Sequence, residues 1–148
     1  MKAFIYGKFT LGDKIIIEHL KSVLDNCDYL GEKVDLSKIV PEDNNLIIIS
    51  NTNLFKIDQD KVLGYIKKDV TKPLLVLRKY NTFGTVFFKK NFEVEKISSN
   101  KAFNFAGMLY LPKKYLEALP ENKKTISEVF KTVPYTDWRF YIINNKKR

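Results

Sequence analysis

The segment Gly7-Lys8-Phe9-Thr10-Leu11-Gly12-Asp13-Lys14 has the composition of an anion-binding turn. It follows an apolar run, Lys2–Tyr6, and precedes residues with helical periodicity. A glycine-containing loop between a first strand and a first helix lets backbone N–H groups approach a phosphate closely. The helix N-terminus adds favourable partial charge. Lys8 and Lys14 can meet phosphate oxygens, and Thr10 can donate a hydroxyl. Neither G-x-x-x-x-G-K-[ST] nor G-x-G-x-x-G is matched, so an ordinary strand-to-helix turn explains the glycines equally well.

A second candidate position is the end of the run Leu46-Ile47-Ile48-Ile49-Ser50, where Asn51, Thr52 and Asn53 follow. Ligands in open parallel sheets sit outside the carboxyl ends of the strands. Phosphoryl or nucleotidyl transfer would need an aspartate there to hold Mg²⁺, and two amides with a hydroxyl bind a divalent ion weakly. These residues also serve as turn formers. His19 falls on or beside an apolar helix face and reads as packing rather than a general base. Cys27 has no activating set, and a buried or idle thiol is the simpler reading. Glu93 and Glu95 alternate on a strand and fit a solvated face, and Asp137 beside Trp138 fits a turn. No catalytic residue and no metal ligand is assigned.

The elements that must position these residues follow from periodicity. Residues 2–6 read as a buried strand. Ile15, Ile16, His19, Leu20, Val23 and Leu24 recur at helical spacing through about Asn26, with Asp13 as N-cap. Residues 28–45 are polar and turn-rich. Leu46–Ser50 is an unalternating β-branched run suited to a strand covered on both faces. Asp58–Lys68 carries Val62, Leu63 and Ile66 on one helical face. Pro73–Lys79, Phe83–Phe88, Phe92–Ile97, Phe105–Leu111 and Trp138–Ile143 read as strands, with Lys89-Lys90-Asn91 as a turn. Pro112 fits the first position of a helix over Lys113–Leu119, and Thr125-Ile126-Ser127-Glu128 has the form of a capping box. Strands alternating with helices predict a single α/β domain over residues 1–148, a three-layer sandwich on a mixed, mostly parallel sheet.

Composition narrows the function classes. The chain has 148 residues and a formal charge of +9, with 45% hydrophobic and 29% charged residues, ordinary globular usage. Arg78, Arg139 and Arg148 are the only arginines, and the lysines are scattered. A nucleic-acid reader concentrates arginine for its planar fork, so the charge ranks nucleic acid behind other partners. The basic tail Asn144–Arg148 reads as a solubilising terminus. One cysteine excludes an internal disulfide framework. Runs such as Leu46–Ile49 and Phe105–Leu111 are far short of the ~20 apolar residues of a membrane span. The start, Met1–Gly7, has no extended apolar leader, so a cytoplasmic protein is expected.

The order of elements resembles the superfamily of nucleotidyltransferases that activate sugars and related compounds, the sugar-phosphate nucleotidyltransferases and the molybdopterin guanylyltransferase-like group. Met1–Lys14 with Ile15-Ile16-Ile17-Glu18-His19-Leu20 resembles the opening strand, signature loop and P-L-I-E-H helix. Leu46–Phe55 resembles the strand ending in a G-D-N-hydrophobic-F signature. Pro73–Leu77 through Phe83-Gly84-Thr85-Val86 resembles the strand leading to F/Y-G-x-V. Asn104–Leu111, then Tyr115–Leu119 and Ile126–Phe130, resemble the N-x-G-x-Y strand and its following helices.

The departures shape the expectation. The loop lacks the family's arginine, and Thr52 stands where the metal-holding aspartate belongs. Glu95-Lys96 lacks the proline of E-K-P, and the late W-x-D-I-G segment has no counterpart. The resemblance therefore implies a shortened, catalytically degenerate domain that serves as a nucleotide-binding or protein-assembly module. Its expected nucleotide contacts are Gly7, Lys8, Thr10, Gly12, Lys14, Asn51 and Asn53. The alternative is a minimal active nucleotidyltransferase on a sugar phosphate or similar acceptor. It would use Lys8 or Lys14 for phosphate and Asp13, Asp58 or Glu95 to hold Mg²⁺, the one cofactor implied, and only if the protein is active. A basic nucleic-acid-binding protein is a further alternative. A homodimer or a protein partner is a further expectation, and a membrane partner is not.

Overall fold

The structure, a computed structural model, describes residues 1–8, 11–24, 26–50, 57–78, 85–88, 94–98 and 104–143. Its strands are β1 (Lys2–Tyr6), β2 (Asn26–Gly31), β3 (Asn44–Ile49), β4 (Leu74–Arg78), β5 (Thr85–Phe88), β6 (Val94–Ser98), β7 (Asn104–Pro112) and β8 (Arg139–Ile143). The helices are α1 (Leu11–Val23), α2 (Gln59–Lys68), α3 (Lys113–Glu117) and α4 (Ile126–Thr132), with short 3-10 turns at Leu36–Lys38 and Tyr135–Asp137.

The main path of the sheet runs β2-β1-β3-β7-β4-β8, with β5 pairing β7 and β6 pairing β5. β1 lies parallel to β2 and β3, and β4 parallel to β8, while β7 is antiparallel to both β3 and β4. Five of the six strands thus point one way, and one reversed strand joins two parallel halves. This is the expected mixed, mostly parallel α/β sheet.

Alternation along the strands divides the core into two layers. Ala3, Ile5, Leu46, Ile48, Val76 and Tyr110 face α1 and α2, meeting Ile17, Leu20, Val62 and Ile66. Phe4, Tyr6, Ile47, Leu75 and Leu109 face the other side, where Leu116, Phe130 and Trp138 cover them. Both faces are covered, which is why β3 and β4 read as continuous apolar runs. Polar ties close the layers. Asn45, wholly buried, donates to the Glu42 and Leu111 carbonyls at 2.8 and 3.0 Å and accepts from Glu42 N at 2.8 Å. The Arg139 guanidinium donates to the carbonyls of Tyr65 and Lys72, tying β8 to the end of α2. The Tyr110 hydroxyl reaches the Val70 carbonyl at 2.6 Å, and burial pushes its pKa up to about 12.

Local signals hold where capping chemistry is explicit. Asp58 caps α2 by accepting from Lys61 N at 3.1 Å, and Thr125 caps α4 by accepting from Glu128 N at 3.2 Å. Pro112 is the N-cap of α3 rather than its first helical residue.

Three expectations are corrected. The polar stretch over 28–45 contains most of β2, an edge strand whose partly exposed pattern hides its pairing, with Lys2 opposite Asn26. Helix α1 begins at Leu11, so Asp13 lies inside it and is not its N-cap. Ile17 and Leu20 of α1 are buried, while Ile15 is 70% exposed. The turn expected at Lys89-Lys90-Asn91 lies outside the described residues.

These packing differences give opposite outcomes for two truncations. Leu109→Ala should cost about 2–5 kcal/mol, because the sheet on both sides of β7 limits collapse around the cavity. Ile15→Ala should change stability by less than about 0.5 kcal/mol. Urea unfolding of the two variants checks the contrast.

Candidate functional site

Because β1, β2, β3, β4 and β8 share one direction, their carboxyl ends share one edge of the sheet. The amino end of the reversed strand β7 lies on that same edge, where Asn104 pairs with Arg78 and with Thr85 of β5. The first loop is built here. Gly7 N donates to the Gly31 carbonyl at 2.9 Å, and Ser50 N donates to the Tyr6 carbonyl at 2.8 Å. β1 is therefore held on both sides as it leaves the sheet.

Gly7 is required by geometry. Its φ is +112°, in the region L side chains avoid, and a Cβ there would lie 2.8 Å from Ser50 Cβ. The carbonyls around this close approach are engaged as well. Ser50 Oγ donates to the Lys8 carbonyl at 2.8 Å, and the Tyr29 hydroxyl donates to the Gly7 carbonyl at 2.6 Å. With carbonyls turned to these hydroxyls, the short connection to α1 enters the N-terminus of a 13-residue helix. That end concentrates unpaired N–H groups and positive partial charge.

Of the residues expected at the site, Gly7 and Lys8 lie together on the carboxyl edge, with Lys8 exposed. Gly12 falls within the first turn of α1. Lys14 is also exposed, and it lines a cleft between α1 and β2 together with Ile17, Lys21 and Tyr29. Thr10, Asn51 and Asn53 lie outside the described residues. Ser50, next to the expected Asn51, is the point of contact between the two candidate segments.

Sequence reasoning missed the holding roles of Ser50 and Tyr29, which depend on tertiary approach. It also missed Arg78, 6% exposed at the carboxyl end of β4. A hydroxyl-ended β3 was the one legible hint for Ser50.

Other chemistry-bearing residues sit away from this edge or are occupied. His19 Nε2 lies 2.9 Å from Asp60 Oδ1, linking α1 to α2. Asp137 accepts from the Tyr115 hydroxyl at 2.9 Å, and burial, reinforced by that bond, pushes the Tyr115 pKa up to about 12. Burial likewise raises the Cys27 thiol above its ordinary range, against the opposing pull of Lys21. Among the described residues no group of three or more His, Cys, Asp or Glu is placed to hold a metal ion. Asp58, one carboxylate considered for Mg²⁺, is engaged in capping α2.

The chain matches no protein-family model and no curated protein sequence. Its fold does match solved structures. HddC from Yersinia pseudotuberculosis superposes with a TM-score of 0.56 at 15% identity, over 95% of this chain and 69% of that one. A structure of HddC complexed with GMP-PN gives 0.57 at 13% identity, over 95% and 89%. A197 from STIV gives 0.50 at 13% identity, over 97% and 81%. This chain shares the α/β fold of these structures, built on a mixed, mostly parallel sheet.

The close approach at the loop gives a direct prediction. Gly7→Ala should destabilise the protein by roughly 1–3 kcal/mol through its positive φ and the Ser50 clash. Adding Ser50→Gly should recover only part of the loss, because the φ strain remains. Urea midpoints of the single and double variants measure both terms.

Proposed function

We propose that this chain is a catalytically degenerate nucleotidyltransferase-like domain that binds a nucleotide through its first loop and acts as a nucleotide-binding or protein-assembly module. The observation that carries the proposal is the joining of Gly7 and Lys8 to Ser50 at the carboxyl edge of the sheet, beside the N-terminus of α1. Gly7 and Lys8 are held by β1, β2 and β3 together, so the Lys8 contact would be in place before a nucleotide binds. Lys8 supplies an exposed ammonium group. Thr10, Gly12, Lys14, Asn51 and Asn53 complete the proposed contacts. The HddC structure complexed with GMP-PN supports a nucleotide as the ligand class on this fold.

The loss of catalysis rests on electrostatics. Nucleotidyl transfer develops charge on a phosphate that a metal and a positioned cation must stabilise. Here the loop arginine is absent and Thr52 occupies the aspartate position, so ground-state phosphate binding survives better than transition-state stabilisation.

Calorimetry and thermal shift with a panel of nucleoside triphosphates, each with and without Mg²⁺, test this reading. One nucleotide should raise the melting temperature with little dependence on Mg²⁺, and Lys8→Ala should weaken its binding about tenfold, the loss of one charge-assisted contact of ~1.5 kcal/mol. No shift with any nucleotide removes the binding role. Mg²⁺-dependent pyrophosphate release with a sugar phosphate would instead establish the minimal active enzyme.

A further inference from the structure

The outer flank of α1 does not close fully on the sheet. Between it and edge strand β2 lies a cavity of about 250 Å³. Its floor is apolar, formed by Ile5 of β1 and Ile17 of α1, with Cys27 and Tyr29 of β2 as its far wall. Ile5 and Ile17 are both buried core residues, so the floor is a fixed surface. The rim is charged. Lys14, Glu18 and Lys21 recur at helical spacing and therefore project over the same opening. Lys21 Nζ lies 3.7 Å from Glu18 Oε1, which leaves two ammonium groups against one carboxylate around the mouth. The Lys21 charge is felt within the cavity wall, where it opposes the burial that raises the Cys27 thiol.

We propose that this cavity is a binding site for a small amphipathic anion, a single apolar ring or short chain bearing one anionic head group. The apolar body lies against Ile5, Ile17 and Cys27, and the head group meets the Lys21 ammonium in place of the exposed Glu18 carboxylate, with Lys14 on the same rim. An apolar floor with a few convergent polar groups is the usual composition of a small-molecule site. The volume lies below the roughly 300–1,000 Å³ typical for drug-sized ligands, which limits the occupant to one ring or its equivalent. The excess of positive charge at the rim selects an anion over a neutral or cationic molecule of the same shape. This site shares Lys14 with the nucleotide reading but needs none of the loop's backbone donors, and its deciding residue, Lys21, belongs to the cleft alone.

The chain contains one cysteine, so thiol alkylation reports on this cavity alone. The rate of Cys27 alkylation by iodoacetamide is measured at fixed pH and ionic strength, with phenyl phosphate as probe and with inorganic phosphate and phenol as controls. At a probe concentration about four times its Kd, alkylation should slow about fivefold. Neither control should match that protection. Lys21→Met keeps the aliphatic stem and removes the charge. The ratio of rates with and without probe should collapse towards one in this variant, with Lys14→Met as a second variant and melting temperatures verifying the fold of both. Absence of protection by phenyl phosphate overturns the proposal. So does equal protection by inorganic phosphate or phenol, or full protection in both lysine variants. None of these readouts involves a nucleotide, so failure here leaves the nucleotide reading standing, and the reverse also holds.

Discussion

The reversed strand β7 is the constraint on which the rest of the structure depends. It is bonded to β3 on one side and β4 on the other, so it is the strand that joins the two parallel halves of the sheet. Leu109, Tyr110 and Leu111 are wholly buried, and their alternation supplies apolar surface to both layers. Against β3 the register is unbroken from Asn44–Pro112 to Ile48–Met108, whereas against β4 it shifts between Leu75 and Leu77. Gly107, at φ +97°, lies in the stretch of β7 opposite that shift. A glycine at positive φ is what a bulged strand uses to change register without strain. The consequence is positional: the start of β7 is delivered to the same edge as the carboxyl ends of β3 and β4.

At that edge the chemistry depends on close approach rather than on reactive side chains. Gly7 allows β1 to leave the sheet pressed against Ser50, and the hydroxyls of Ser50 and Tyr29 turn the adjoining carbonyls inward. The N–H groups of Gly7 and Ser50 are themselves taken up by the Gly31 and Tyr6 carbonyls, so the proposed anion contacts fall to the exposed Lys8 and the N-terminus of α1. The same edge holds Arg78, a buried cation at the carboxyl end of β4.

How much of this was legible in the sequence depends on whether the determinant was local. Apolar runs announced β1, β3, β4 and β7, since burial on both faces leaves a continuous hydrophobic signature. Thr125 announced α4, because a cap is contained within four residues, and the shared face of Val62, Leu63 and Ile66 announced α2. Strand β2 was hidden: Asn26-Cys27-Asp28-Tyr29-Leu30-Gly31 is an edge strand with mixed exposure, and its identity comes from pairing with β1. The face of α1 was misread because Ile15, Ile16 and Ile17 are equally apolar, and only packing decides that Ile17 turns inward and Ile15 outward. At the site, Gly7 was legible as a turn residue. Its need for positive φ and its contact with Ser50, 43 positions later, were not, since both arise when β1 and β3 pair.

The central claim, that a nucleotide is held by the joined Gly7, Lys8 and Ser50 segment, is tested most directly by amide chemical-shift mapping. A ¹⁵N-labelled sample is titrated with the tightest-binding member of a nucleoside triphosphate panel, without Mg²⁺. The account predicts that the largest saturable shifts among the assigned amides of the described residues fall at Gly7, Lys8, Ser50 and the first turn of α1. Shifts spread over the lysine-bearing surface, or centred on α2 and β8, would contradict it.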